Sequence, residues 1–203
     1  MQIIKAEQFD IQELVMQLKK GKTIIYPTET CYGLGCDATN NKAVDSVFEI
    51  KQRQKNKSVL VLMADIAMAK EYVIWNDTLT QLAQIYWPGP LTIVAPVLAD
   101  VVLANGVVHE SGTIAFRVTS HLVAHDIVTA LGVPLVSTSA NISSMESPYD
   151  ISFITDMFTQ SDKKPDIIID AGVLADRAPS TIVSVSDGEV RVLRQGEINV
   201  DVV

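Results

Sequence analysis

The chain has 203 residues, 48% hydrophobic and 20% charged, with a formal net charge of −8. This length predicts a single domain, residues 1–203, that can bury its own core, and the composition excludes a disordered or linker-dominated chain. The acidic total argues against a surface that clamps nucleic acid along its whole length, because phosphate binding needs a basic face, but it leaves room for a small basic pocket.

The N-terminal MQIIKAEQFD lacks a basic segment followed by an apolar one, so no signal peptide is expected. Ile11, Leu14, Val15 and Leu18 share one face at helical spacing, and Gly21 is a plausible stop. Lys22 to Tyr26 reads as a strand that Pro27 ends. Asn40 to Lys51 reads as a helix, with Val44, Val47 and Phe48 on one face. Ser58 to Met63 is a continuous apolar run, typical of a strand covered on both sides. Helical stretches follow near Ile66–Tyr72 and Leu79–Tyr86, then the rigid turn Trp87-Pro88-Gly89-Pro90. Strands are predicted at Leu91–Ala95 and Thr113–Val118, and a helix from His121 to Leu131. Pro134 to Val136 reads as a short strand running into a polar turn, Ser137 to Asn141. Residues 142–165 are expected to form a mobile loop around one amphipathic segment. Late strands at Ile167–Asp170, Ser180–Val185 and Glu189–Leu193 have no long helix between them, which predicts antiparallel pairing. No run approaches ~18 apolar residues, so no membrane span is expected. Alternating helices and short strands place the chain in the α/β or mixed α+β class.

Several tempting motifs fail. Gly21-Lys22-Thr23 precedes a strand and lacks the upstream glycine of a phosphate loop, since Met16 stands there. His121 and His125 share a helix face, but a zinc site needs further ligands at a recognisable spacing, and no metal site is predicted. Cys31 and Cys36 are too few for a disulfide framework and fit a reducing, cytoplasmic location.

Four separated segments carry the chemistry. Tyr26–Gly35 combines hydroxyls with two glycines, which would let backbone N–H groups approach a ligand. Lys51–Lys57 places four cations in a net-acidic chain, although such a run also suits a solvated helix end. Ser137–Asn141 is rich in hydroxyls, and Ser180 and Arg194 lie at opposite ends of the last two strands. Ligands of open α/β sheets bind at strand ends, and cations with hydroxyls suit a triphosphate or a carboxylate.

These segments resemble the YrdC-like family. The matching stretches are YPTETCYGLG (26–35), Lys51-x-Arg53, WPGPLT (87–92), TIAFRV (113–118), PLVSTSAN (134–141), STIV (180–183) and VLRQG (192–196). They occur in the family's order. The resemblance implies a twisted, open, mixed parallel and antiparallel sheet with flanking helices around a concave basic pocket. It implies a domain complete by Gly196, with a second domain only in longer relatives. The implied activity is a nucleotidyl transfer, in which L-threonine, bicarbonate and ATP give threonylcarbamoyl-AMP and pyrophosphate. A protein complex would then pass the threonylcarbamoyl group to tRNA. Threonine is expected near Thr30, Arg117, Ser137 and Ser180. ATP, arriving with Mg2+, is expected near Arg53, Lys57, Thr113, Ser139, Asn141, Ser147 and Arg194. Lys51 and Arg53 are the expected catalytic pair. No enzyme nucleophile is needed, because the work is alignment and neutralisation of two anions. The open alternative is a family member that binds RNA without this turnover, gripping it through the concave face.

Overall fold

The computed structural model describes residues 1–54, 57–143 and 145–200. The described residues form ten strands and six helices. In chain order they are β1 (Gln2–Lys5), α1 (Ile11–Lys19), β2 (Ile24–Pro27), β3 (Tyr32–Gly35), α2 (Asn41–Lys51), β4 (Leu60–Met63), α3 (Ile66–Tyr72) and α4 (Asp77–Tyr86). There follow β5 (Leu91–Pro96), β6 (Thr113–Val118), α5 (Leu122–Leu131), β7 (Leu135–Ser139), α6 (Ile151–Thr159), β8 (Ile167–Asp170), β9 (Thr181–Ser186) and β10 (Glu189–Arg194). No helix among these residues is long and apolar enough to cross a membrane.

Local chemistry sets the helix ends. Asp10, Asn40, Asp65, Asn76 and Asp150 each accept a backbone N–H from the first turn of the helix they precede, which satisfies donors that the helix itself cannot. Gly132, at φ +74°, ends α5 in the left-handed conformation.

All ten strands join one mixed sheet, in the order β1-β8-β2-β3-β7-β4-β6-β5-β9-β10. The expected antiparallel pairing of the late strands holds for β9 with β10. It fails for β8, which inserts between β1 and β2 and runs parallel to both. Its Ile167-Ile168-Ile169 run is buried on both faces, as a parallel strand in mid-sheet must be.

Two strands escape the sequence reading. β1 is short and mostly exposed, so its pattern carries no signal. β3 contains two glycines, which read as a ligand-approach loop. Gly35 is instead a packing residue, since a Cβ there would run into the Val136 carbonyl oxygen of β7, while Gly33 lines the cavity described below. The expected turn at 137–139 is likewise strand. Ser137 pairs with Leu60, Thr138 with Leu34 and Ser139 with Gly33, so cross-strand pairing overrides the turn preference of these residues. The expected loop at 142–165 contains α6, whose Ile154 and Phe158 are buried.

Strand alternation divides the core between the two faces of the sheet. Ile24, Tyr26, Leu62, Leu135, Ile167 and Ile169 pack with α1 and α5. Ile25, Leu34, Val61, Phe116, Val136 and Ile168 pack on the other side with α2, α3, α4 and α6. Each such buried aliphatic or aromatic side chain contributes about 1.5–3 kcal/mol. Thr92 of β5, Ala115 and Arg117 of β6 and Ile182 of β9 are among the residues that face away from the second cluster. They line a cavity instead of meeting a helix. The site is therefore the part of the α1/α5 face that the helices leave uncovered.

Gly35→Ala should destabilise the protein by about 3 kcal/mol or more, because the added methyl meets backbone that cannot yield. Chemical denaturation of the purified variant would measure this.

Candidate active site

The cavity has a volume of ≈ 290 Å³ and is floored by residues of the neighbouring strands β3, β7, β4, β6, β5 and β9. Its wall carries three guanidinium groups, Arg53, Arg117 and Arg194. It opens through Arg53, Ser139 and Ser147 into an outer cleft of ≈ 630 Å³, which adds Lys51, Gln54 and Lys57. No carboxylate is among the described residues lining either space. Lys55 and Asn56 of the basic run lie outside the described residues.

Lys51 and Arg53 diverge because the helix stops between them. Gln52 caps α2 in the left-handed conformation, at φ 51°, with its N–H on the Phe48 and Glu49 carbonyls. A non-glycine residue there costs about 1 kcal/mol or more. The turn sends Lys51 inward and Arg53 toward the cavity. The Lys51 ammonium donates to the carbonyl oxygens of Ser139 and Asn141 and to Asn141 Oδ1. An ammonium has three donors, so all are used. Asn141 is equally committed: its Nδ2 donates to the Met145 and Glu146 carbonyls at 2.6 and 2.9 Å, and its Oδ1 also accepts from Ser139 Oγ. The sequence reading put both residues against the substrates. The structure places both on the outer cleft and also makes them the knot that ties α2 to the end of β7 and the loop after it. The Ser143 N–H on the Lys51 carbonyl completes the tie.

The arginines keep donors free. Arg53 donates from Nε to the Lys57 carbonyl and from Nη2 to the Ser58 carbonyl, at 3.1 and 2.9 Å. Three of its five guanidinium donors have no partner among the described residues. Arg194 is held by the Ser180 carbonyl through Nε and Nη2, and Nη2 also reaches Ser180 Oγ. Burial lowers the pKa of both arginines, and the Arg117 charge adds to the effect at Arg194. Arg117 itself is only 3% exposed. Its Nε lies 3.5 Å from Glu29 Oε1.

Hydroxyls complete the inner cavity. Ser180 Oγ and Thr92 Oγ1 share a hydrogen bond of 2.9 Å, both groups being buried. Thr30 Oγ1 and Thr28 Oγ1 are paired at 3.1 Å. Ser137 and Ser139 point to the same side of β7, two residues apart, and both line the cavity. Cys31 lines it too, but burial raises its thiol pKa, so it is not an activated nucleophile.

Of the expected site residues, Thr30, Arg53, Arg117, Ser137, Ser139, Ser147, Ser180 and Arg194 come together around the inner cavity, and Lys51, Lys57 and Asn141 line the outer cleft. Thr113 does not line either space. It lies two residues before Ala115 on the same side of β6, bonded to Ser111 Oγ at 3.0 Å. The sequence reading gave no role to Thr92, Tyr149, Pro179 or Glu29. Strand alternation marks Thr92 as a polar side chain facing away from the core. Tyr149 and Pro179 arrive from irregular loops and carry no such signal.

A twisted mixed sheet with a cation-walled, carboxylate-free cleft at its uncovered face defines an α/β protein built to take an anionic ligand. The Sua5/YciO/YrdC family model, described as "Telomere recombination", matches residues 16–196, and the chain belongs to this family. It is 31% identical over 190 residues to the threonylcarbamoyl-AMP synthase of Psychromonas ingrahamii, covering 92% of this chain and 98% of the relative. It is 41% identical over 137 residues to the threonylcarbamoyl-AMP synthase of Vibrio cholerae, covering 66% of this chain and 72% of the relative. The crystal structure of P. abyssi Sua5 complexed with L-threonine superposes with a TM-score of 0.85 at 28% identity, over 96% of this chain. This chain spans 57% of the length of that one. E. coli YciO gives a TM-score of 0.79 at 28% identity, over 92% of this chain and 88% of its own.

Burial and the Arg53 charge pull the Lys51 pKa from 10.5 to about 8. A neutral amine has only two N–H donors, so the knot loses one bond as the pH rises through that value. Turnover should therefore fall above about pH 8, and side-chain NMR should place the Lys51 midpoint near 8.

Proposed function

We propose that the chain is an L-threonylcarbamoyladenylate synthase, converting L-threonine, bicarbonate and ATP to threonylcarbamoyl-AMP and pyrophosphate. The observation that carries this reading is the cleft walled by Arg53, Arg117 and Arg194, with no carboxylate in its lining. The names of the two curated relatives and the threonine complex of P. abyssi Sua5 support the choice of substrates. The threonylcarbamoyl group would next pass through a protein complex to tRNA, which this chain need not bind itself. No specific observation stands behind the RNA-binding alternative.

In the proposed reaction the threonine amine adds to bicarbonate with loss of water, giving a carbamate. A carbamate oxygen then forms a bond to the α-phosphorus of ATP, and the bond to the β-phosphate oxygen breaks to release pyrophosphate. Both reactants are anions, so the barrier includes their mutual repulsion. Arginines in a confined cavity offset it more strongly than they would in water.

In this reading Arg117 takes the threonine carboxylate, since its planar fork matches a carboxylate, and Thr30, Ser137 and Ser180 surround the amino acid. Arg53, Ser139, Ser147 and Arg194 take the nucleotide phosphates, with Lys57 at the outer cleft. Thr113, which lines neither space, is also assigned to the nucleotide. Lys51 and Asn141 act one step back, by fixing Ser139 and the loop that carries Ser147. Among the described residues no group of three His, Cys, Asp or Glu side chains is placed to hold a metal. Mg2+ enters this reading as part of Mg-ATP, held by substrate phosphates and water.

Mass spectrometry of purified protein with L-threonine, bicarbonate and Mg-ATP should detect threonylcarbamoyl-AMP, dependent on all three. Absence of that product would overturn the reading. Arg53→Ala should abolish turnover with the fold retained by circular dichroism. Arg117→Ala should raise the threonine requirement by roughly 30-fold or more while leaving that for ATP little changed, as expected for loss of one partner of a desolvated ion pair. Steady-state kinetics with each substrate varied would check both.

A further inference from the structure

Arg117 poses an electrostatic problem that the proposed reaction leaves open. It is almost fully buried, cannot lose its proton in a protein, and lies near a second cation, Arg194. A buried charge needs a partner. The carboxylate within ion-pair reach is Glu29, whose side chain is 10% exposed. Its neighbours Thr28, Thr30 and Cys31 line the cavity, whereas Glu29 does not. Glu29 therefore stands behind the arginine, away from the ligand space.

Its geometry is specific. Glu29 Oε2 accepts a hydrogen bond of 2.6 Å from Thr119 Oγ1, and that hydroxyl also accepts the His121 N–H at the start of α5. One carboxylate oxygen is thus fixed to the framework just after β6. The other, Oε1, is directed at the Nε edge of Arg117, 3.5 Å away. Among the described residues neither Oε1 nor Nε has a hydrogen-bond partner, although both are buried. At this distance the contact is a Coulombic one that a small shift would convert into a hydrogen bond. Engaging the Nε edge leaves the two terminal nitrogens for the cavity.

We propose that Glu29 is the positioning residue for Arg117. It holds the guanidinium from behind by its Nε edge, points the terminal nitrogens at the carboxylate of the amino-acid substrate, and so sets the affinity for that substrate. The proposal rests on the reading of Arg117 as the carboxylate clamp. Thr119 belongs to the same device, because it fixes the oxygen that Arg117 does not use.

The test is calorimetric titration with L-threonine, together with kinetics in which threonine and ATP are varied separately. The proteins are wild type, Glu29→Gln, Thr119→Val, Arg117→Ala and the Arg117→Ala/Glu29→Gln double variant. Glu29→Gln should weaken threonine binding by roughly tenfold or more while the ATP KM changes by less than about twofold. Thr119→Val should shift threonine binding in the same direction by less. In the Arg117→Ala background, Glu29→Gln should add no further loss, since its effect runs through the arginine. Glu29→Gln binding threonine like wild type, equal losses for both substrates, or losses that multiply in the double variant would each overturn the proposal. If Glu29→Gln does not fold, Thr119→Val decides, and unchanged threonine affinity there counts against it. Wild-type protein that binds no L-threonine would sink the amino-acid reading of the cavity itself, a result separable from failure of Glu29 alone.

Discussion

Like charges brought to one cavity repel, and the architecture of this protein is arranged around holding them there. Three guanidinium groups face a common space, and the lining offers them no carboxylate. Each is braced from behind. Carbonyl oxygens of Lys57 and Ser58 hold Arg53, the Ser180 carbonyl holds Arg194, and Glu29 stands behind Arg117. Carbonyl dipoles and one recessed carboxylate offset the repulsion without occupying the donors that face inward. The cavity is thereby ready for an anion before one enters, which is what electrostatic preorganisation requires.

The bracing depends on the sheet. Arg117 and Ala115 project from β6, Ser137 and Ser139 from β7, and Thr92 from β5, all from the face that α1 and α5 cover farther along. The opposite face is filled with apolar side chains, so the strands cannot rotate without exposing them. Burial on one side thus fixes the direction of the polar groups on the other. The knot of Lys51, Ser139 and Asn141 extends this rigidity into the loop that carries Ser147.

The same arrangement explains how an acidic chain can serve an anionic ligand. The net charge of −8 is a sum over the whole molecule. Carboxylates such as Asp166 and Asp170 pair with Lys22 and Lys5 around β1, β8 and β2, away from the cleft lining. The local field in the cavity is set by the nearby arginines, because charges at the surface are screened by water and salt.

Most helices and the apolar strands were legible in the sequence, because their periodicity and caps are local. The clustering of Arg53, Arg117, Ser137, Ser180 and Arg194 was legible through the order of the motifs. The route of β8 was not, since a run of three isoleucines carries no mark of its partners, and its place between β1 and β2 depends on which strands remain to be covered. β3 was hidden by its two glycines, and the purpose of Gly35 is visible only from the Val136 carbonyl beside it. Sequence alone determined which residue types this protein brings to its cleft. Only the tertiary structure decided their direction, turning Lys51 and Asn141 inward as a strut and setting Glu29 behind Arg117. Direction depends on which face of a strand is buried and on which side of a helix cap a side chain leaves, and both are fixed by packing between segments distant in the chain.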